Sequence, residues 1–322
     1  MCARSGWKLS APAVGYQGAY MSTLLLGKNG QVGWELQRAL APLGPLVALD
    51  RQGLNGLCGD LANLDGLRAT VRELKPAVIV NAAAYTAVDR AEEDRELADT
   101  INTAALGILA EEAKGLGALL VHYSTDYVFD GSGAAPWREE ATTAPLNHYG
   151  ATKLAGEEAI QEQGCRHLIF RTSWVYATRG KNFLATMARL IQERDALKVI
   201  DDQIGAPTGA ELIADVSAHA VRLARLDSRI NGLFHLVAAG ETSWHGYACF
   251  IAEWLKRQGI EVKATPDRIA PVSTDAWPTP AQRPLNSRLS TEKLEHALGL
   301  ELPSWQAGVE RALAERYIPT KE

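Results

Sequence analysis

What this chain has little of narrows it quickly. No apolar run approaches the roughly 18 residues of a membrane helix, so no transmembrane span is expected. Neither sign of charge dominates: 33 Lys and Arg stand against 38 Asp and Glu, a formal net charge of −5. No basic stripe marks a nucleic-acid surface. Cysteine is scarce: Cys2, Cys58, Cys165 and Cys249 are far apart, with no CxxC pair and no zinc spacing. They read as reduced thiols of a cytoplasmic protein. HExxH and GxSxG are also missing, which removes a helical zinc site and the serine-hydrolase elbow.

What remains is an ordinary globular composition over 322 residues, enough for one large or two modest domains. Residues 1–20 are rich in Gly, Ala and Ser and lack the continuous apolar stretch of a signal peptide. Met21 stands directly before the first strand-like run, so 1–20 is expected to be a disordered extension or an upstream miscalled start.

From Met21 short β-rich runs alternate with helical spacing. "TLLLG" precedes "QVGWELQRALAPLG", "PLVALD" precedes "NLDGLRATVRELK", and "AVIVNAAA" precedes a helix over about Arg95 to Leu116. "ALLVHYST", a helix from about Tyr149, and "HLIFRTSWVY" complete the half. Near-continuous apolar strands separated by helices predict a parallel sheet covered on both faces, an α/β doubly wound fold. After about residue 177 the rhythm loosens. Helices are expected at Asn182–Arg194, Ala210–Leu226 and Trp244–Arg257, and two short closing helices capped at Ser290 and Ser304. The proline-rich "TPDRIAPVSTDAWPTPAQRP" reads as too irregular for regular structure. The expected division is 21–176 for the sheet domain and 177–322 mostly for a smaller lobe, later segments returning to the first.

"GKNGQVG" places Gly27, Gly30 and Gly33 between a strand and a helix. Glycines there let the backbone approach a pyrophosphate, whose charge meets a helix N-terminus. Asp50 ends the second strand at about the 20-residue distance of a ribose-binding carboxylate. It favours NAD, whereas Arg51 and Lys28 could pair with the 2′-phosphate of NADP; a site tolerating both is expected. Asp60, after a third short β segment, reads equally as an adenine contact or a helix N-cap.

"LNHYGATKLAGE" sets Tyr149 four residues before Lys153, hence on one helix face. Alone, that is a common surface pair. Beside a dinucleotide loop it has chemical content. A nearby ammonium favours phenolate and is expected to lower the tyrosine pKa by roughly 1–3 units, readying it to exchange a proton with a carbonyl oxygen. "HYSTDYVF" adds Ser124 and Thr125 at a strand's C-terminal end, where ligands bind in such sheets.

These motifs, with "VNAAAYTAVDRAE", "FRTSWVYA", "DQIGAPTGAEL" and "RPLNSRLSTEKL", resemble the extended branch of the short-chain dehydrogenase/reductase family, marked by GxxGxxG and YxxxK. The resemblance runs from about Met21 to Tyr317. It implies a Rossmann-type sheet with a smaller C-terminal α/β substrate lobe, NADPH or NADH as cofactor, and a dTDP-sugar as substrate. It makes Thr125, Tyr149 and Lys153 the catalytic triad. Cofactor contacts fall on Gly27, Lys28, Asn29, Gly30, Gln31, Val32, Gly33, Asp50, Arg51, Asp60, Ala82, Ala83 and Tyr85, with Tyr149 and Lys153. Substrate contacts fall on Ser124, Thr125, Asp126, Tyr149, Trp174, Arg283 and Arg288, although a strand tryptophan is commonly core and the two arginines also read as solvated surface. The Asp126–Tyr127 sequence lacks the Asp-Glu pair of related dehydratases. Keto-group reduction is therefore expected, with epimerisation or a non-catalytic NADP-binding regulatory role as the competing readings. A cytoplasmic homodimer is implied, some relatives holding a divalent metal such as Mg at the interface. Glu211, Glu310 and Glu315 are candidates there, and read otherwise as ordinary helix-surface carboxylates.

Overall fold

In the computed structural model residues 22–318 are described, so the expectation for residues 1–20 lies outside the described residues. The first half runs β1 (Thr23–Leu26), α1 (Gln31–Leu40), β2 (Leu46–Leu49), α2 (Leu64–Leu74) and β3 (Val78–Asn81). Then come α3 (Arg95–Asp99), a π-helical turn (Thr100–Ala104), α4 (Ala105–Leu116), β4 (Leu119–Thr125), α5 (His148–Gln163) and β5 (Arg166–Thr172). The second half continues β6 (Val175–Tyr176), α6 (Phe183–Glu193), β7 (Leu197–Ile200), β8 (Ile204–Gly205), β9 (Thr208–Gly209), α7 (Ala210–Leu226) and β10 (Gly232–His235). It closes with β11 (Thr242–Ser243), α8 (Trp244–Arg257), β12 (Ile269–Val272), α9 (Glu292–Leu298) and α10 (Trp305–Tyr317).

Six strands form one parallel sheet in the order β2-β1-β3-β4-β5-β10. Order reverses between β1 and β3, the switch point where such sheets bind ligands beyond their C-terminal ends. Strand period decides the two faces. Leu25, Val80, Val121 and Phe170 point into one core with residues of α1, α7 and α9. Leu24, Ile79, Leu120 and Ile169 point into the other with α2, α4 and α5. Each of these side chains is at most 1% exposed, and full burial stabilises by about 1.5–3 kcal/mol apiece before entropy is counted.

A third core lies off the sheet, where Leu184 and Ile191 of α6 meet Tyr247 and Ile251 of α8, Trp305 and Leu313 of α10, and Val199 and Ile269 of β7 and β12. Residues after 176 are thus shared out: α7, β10 and α9 serve the sheet, while α6, β7, α8, β12 and α10 build this third core.

Three local expectations are corrected. The proline-rich segment contains β12, paired parallel with β7. That is permitted because a two-stranded pair consists of edges, where Pro271 removes no needed donor. Helix α9 begins after Thr291, not Ser290, and without a side-chain cap, whereas Ser304 does cap α10. The third short β segment is a tight turn closed by an isolated Leu54–Leu57 bridge, no part of the sheet.

Candidate active site

The glycine loop follows β1 at the switch point. Gly27 has φ +85°, and a Cβ there would fall 2.7 Å from Ala83 N and 2.8 Å from Ala82 C. A Cβ on Gly33 would fall 2.0 Å from Gly27 O. These two positions fix the turn against the β3 exit and against α1. Helix α1 starts at Gly30 with no side-chain cap and no acidic residue in its first turn, so its positive dipole end remains available to an anion. The donor set fits a dinucleotide diphosphate. Val32 packs into the sheet core and Gln31 Oε1 accepts from Asn182 Nδ2 at 3.0 Å, which leaves backbone N–H groups as the contribution of both.

Asp50 sits where a ribose would be read. It accepts from Asn29 Nδ2 at 2.9 Å and Gln52 N at 3.0 Å, and pairs with Lys28 Nζ at 3.3 Å. Desolvation opposes ionisation, yet these partners hold its carboxyl below the usual range. Arg51 pairs with Asp60 at 3.4 Å. Asp60 is not the cap of α2, which is Asn63, accepting from Gly66 N at 2.9 Å. Ala82 and Ala83 line the loop through their backbone. Tyr85 turns to Asp94, donating to Oδ2 at 2.6 Å.

The catalytic candidates gather at the C-terminal edge of the sheet. Asn147 caps α5 by accepting from Gly150 N at 2.8 Å. A Cβ on Gly150 would fall 2.2 Å from Tyr127 O, a closeness that brings Tyr149 down onto the end of β4. Thr125 Oγ1 donates to Asp126 Oδ1 at 3.1 Å and accepts from Tyr127 N at 3.2 Å. Tyr149 meets Tyr127 edge-on at 5.7 Å.

The expected lowering of the Tyr149 pKa is overturned in this state. Burial, then the Asp126 carboxylate, push the phenol up to about 12, against a hydrogen bond with Thr125. Lys153 gives no help because Nζ is engaged elsewhere, donating to Tyr123 O at 2.6 Å and lying 2.9 Å from His122 Nε2. Burial brings Lys153 down to about 7, the Glu157 carboxylate opposing. Asp126 is also buried and is pushed up to about 6, against hydrogen bonds from Ser287 and Thr125.

The substrate candidates are tied up. Arg283 donates to both oxygens of Asp89, at 3.0 and 2.8 Å, and to Thr279 Oγ1 and Ala281 O. Arg288 donates to Glu241 Oε2 at 2.6 Å and to Asn286 Oδ1 at 3.2 Å. Neither is a free surface arginine. Trp174, at φ +49°, stacks on Trp244 with centroids 3.6 Å apart, so that ring face is already covered. Ser124 is buried, its Oγ without a partner among the described residues.

Within the chain the glutamates considered for a metal have other partners. Glu310 is held by Arg257, Glu315 by Arg311, and Glu211 has Arg311 at 3.8 Å. Among the described residues no group of three His, Cys, Asp or Glu is placed to hold one.

Sequence reading missed His122, Asn81, Asn102 and Ser287. Each is at most 2% exposed. The signal for two of them was a polar residue inside or ending an apolar strand, "LLVHYST" and "VIVN". Asn102 lies in the π-helical turn and reaches Thr152 Oγ1 of α5 at 3.0 Å and Tyr85 O at 3.1 Å.

A doubly wound sheet, a glycine cradle at its switch point and a Tyr–Lys pair on the adjoining helix define an oxidoreductase of the short-chain dehydrogenase/reductase type. The chain belongs more narrowly to the family described as RmlD substrate binding domain, whose model matches residues 21–318. A dTDP-4-dehydrorhamnose reductase of Shigella flexneri is 54% identical over 300 residues, covering 93% of this chain and 99% of that protein. The dTDP-4-dehydrorhamnose reductase of Escherichia coli (strain K12) has the same identity and coverage. The crystal structure of a dTDP-4-dehydrorhamnose reductase from Bacillus anthracis str. Ames in complex with NADP matches with a TM-score of 0.80. It is 34% identical, covering 92% of this chain and 99% of that one.

Proposed function

We propose that this protein reduces the 4-keto group of dTDP-4-dehydro-L-rhamnose to give dTDP-L-rhamnose, with NADPH or NADH as reductant. The carrying observation is the placement of Thr125, Tyr149 and Lys153 beside the glycine cradle, in a chain 54% identical along nearly its whole length to reductases of that name. Gly27, Gly30 and Gly33 with the α1 N-terminus would hold the diphosphate, and Asp50 the adenosine ribose, with Lys28 and Arg51 at hand for a 2′-phosphate.

When bound, the reduced nicotinamide supplies hydride to the sugar's C4. Tyr149 donates its phenolic proton to the carbonyl oxygen, so ketone, hydride and proton balance to an alcohol. A phenol standing at about 12 is fully protonated at neutral pH and gives up its proton as negative charge grows on that oxygen. Thr125, its hydroxyl held between Asp126 and Tyr127 N, would orient the carbonyl oxygen beside Tyr149. A charged Lys153 would favour the phenolate left behind once an N–H not taken by Tyr123 O or His122 faces it, so that proton uptake by the lysine and proton loss by the tyrosine would favour one another. The third core and the segment carrying Arg283 and Arg288 would face the nucleotide sugar as the substrate lobe. A cytoplasmic homodimer belongs to the same reading.

The test is oxidation of NADPH, then NADH, followed by absorbance with dTDP-4-dehydro-L-rhamnose and identification of the product. One reduced nucleotide consumed per dTDP-L-rhamnose formed is expected. No turnover, with either nucleotide still bound in a titration, would overturn the reading.

A further inference from the structure

Strand period places His122 on the α5 face of the sheet, the same face as Leu120 two residues before it. Its neighbour in register on β3 is Asn81. Both are 1% exposed. His122 Nε2 lies 2.9 Å from Lys153 Nζ, and His122 Nδ1 lies 3.3 Å from Asn81 Nδ2. Asn81 Oδ1 in turn accepts from Ala83 N at 3.1 Å, in the turn that closes on Gly27. An unbroken polar path therefore joins the lysine to the glycine cradle, through a histidine that the reaction as derived above does not use. A long flexible amine buried at 1% exposure needs partners to stand still, and among the described residues it has Tyr123 O and this imidazole.

We infer that His122 is a positioning residue for Lys153, its imidazole oriented by Asn81 so that Nζ is held at the end of β4 with an N–H left for the bound cofactor and Tyr149. The inference rests on the reading of Lys153 given above. Asn81 Oδ1 is committed to Ala83 N, so Asn81 is itself fixed where it flanks the Nδ1 side of the ring, while Nε2 faces Nζ. Burial and the neighbouring Lys153 hold His122 well below the usual histidine range, so the imidazole stays neutral throughout. The other ionisable groups near Nζ are Glu157 on α5, neutralised by Arg171 of β5 at 2.6 Å, and Tyr149.

The experiment compares His122→Phe, His122→Gln, Lys153→Met and the His122→Phe/Lys153→Met double variant. Steady-state kinetics with both substrates are measured across pH, alongside NADPH titrations followed by fluorescence. His122→Phe is expected to weaken NADPH binding about 10-fold or more and to displace the basic limb of the kcat/KM profile. His122→Gln, which keeps a hydrogen-bonding side chain, should recover most of the binding. In the Lys153→Met background His122→Phe should add almost nothing, because both act through one group. Lys153→Met with wild-type kinetics would sink the parent reading. Lys153→Met impaired while His122→Phe keeps wild-type affinity and pH profile would sink this inference alone. Should His122→Phe fail to fold, His122→Leu takes its place in the same measurements, and wild-type NADPH affinity with a wild-type pH profile in that variant would overturn the inference equally.

Discussion

The cofactor side and the substrate side of the proposed site are built on different principles. On the cofactor side the groups that would meet the diphosphate are backbone, fixed by close approach of Gly27 to Ala82 and Ala83 and of Gly33 to Gly27. On the substrate side they are long side chains already engaged: Arg283 with Asp89, Arg288 with Glu241, Trp174 with Trp244. A backbone cradle needs little rearrangement to bind, whereas a guanidinium must first leave its carboxylate. If Arg283 and Arg288 receive the substrate, that side must exchange partners where the diphosphate cradle need not. That suits an enzyme whose cofactor binds in one fixed pose while its sugar nucleotide is selected by fit.

The largest expected effect tests the chemistry shared by both sides. Tyr149→Phe should lower kcat by about 10²–10⁴ while leaving the NADPH titration little changed; retention of turnover would remove the proton donor from the scheme. Gly27→Ala attacks the cradle directly. Its Cβ meets backbone on both sides of the Ala82–Ala83 peptide and its φ is +85°. The strained φ alone costs about 1–3 kcal/mol, and the clash adds to that. Denaturant midpoints and NADPH affinity should fall together. If affinity falls while stability holds, the glycine serves the ligand and not the turn.

Asp126, at the seam between the sides, gives a pH test. Its folded carboxyl stands at about 6 against about 3.9 for an unfolded aspartate. Below about pH 4 it is protonated in both states and costs nothing. Between about 4 and 6 the folded state binds the proton more tightly, so stability falls as pH rises. Above about 6 the penalty is constant, about 2–3 kcal/mol. Asp126→Asn should therefore raise the urea midpoint at pH 8 and scarcely at pH 4, while impairing turnover. Equal effects at the two pH values would mean that Asp126 carries no such strain.

How far this was legible follows the same division. The glycine cradle could be read because a tight strand–turn–helix is a local pattern, and Asp50 because a strand end fixes where it lies. Tyr149 and Lys153 were legible as a helical pair, but not the state they stand in, which depends on burial and on His122 from β4, 31 residues away in the chain. The arginines were found without their roles. Asp89 lies 194 residues from Arg283 and Glu241 lies 47 from Arg288, and nothing in local periodicity reports such pairs. Strand β12 was hidden likewise, since it exists through β7 and its own composition argues against it.

The smallest predicted effect sharpens the comparison most. Arg288 is mostly buried, but its partner Glu241 is 56% exposed, and a pair open to water on one side is worth only about 0–1 kcal/mol. If Arg288 must release Glu241 to receive a sugar diphosphate, deleting that carboxylate's charge removes a competitor. Glu241→Gln should then lower KM for the dTDP-sugar by up to about fivefold, with kcat and the KM for NADPH unchanged. Arg283 predicts the contrast. Its guanidinium is held by Asp89, Thr279 and Ala281 together, so Asp89→Asn loosens the 279–283 segment as well as freeing a charge, and KM should rise. A lowered KM in Glu241→Gln beside a raised KM in Asp89→Asn would make Arg288 the exchangeable phosphate ligand and Arg283 the strut. A lowered KM in both would mean that both arginines change partners, and a raised KM in both that neither does, the substrate side then being as pre-organised as the cradle.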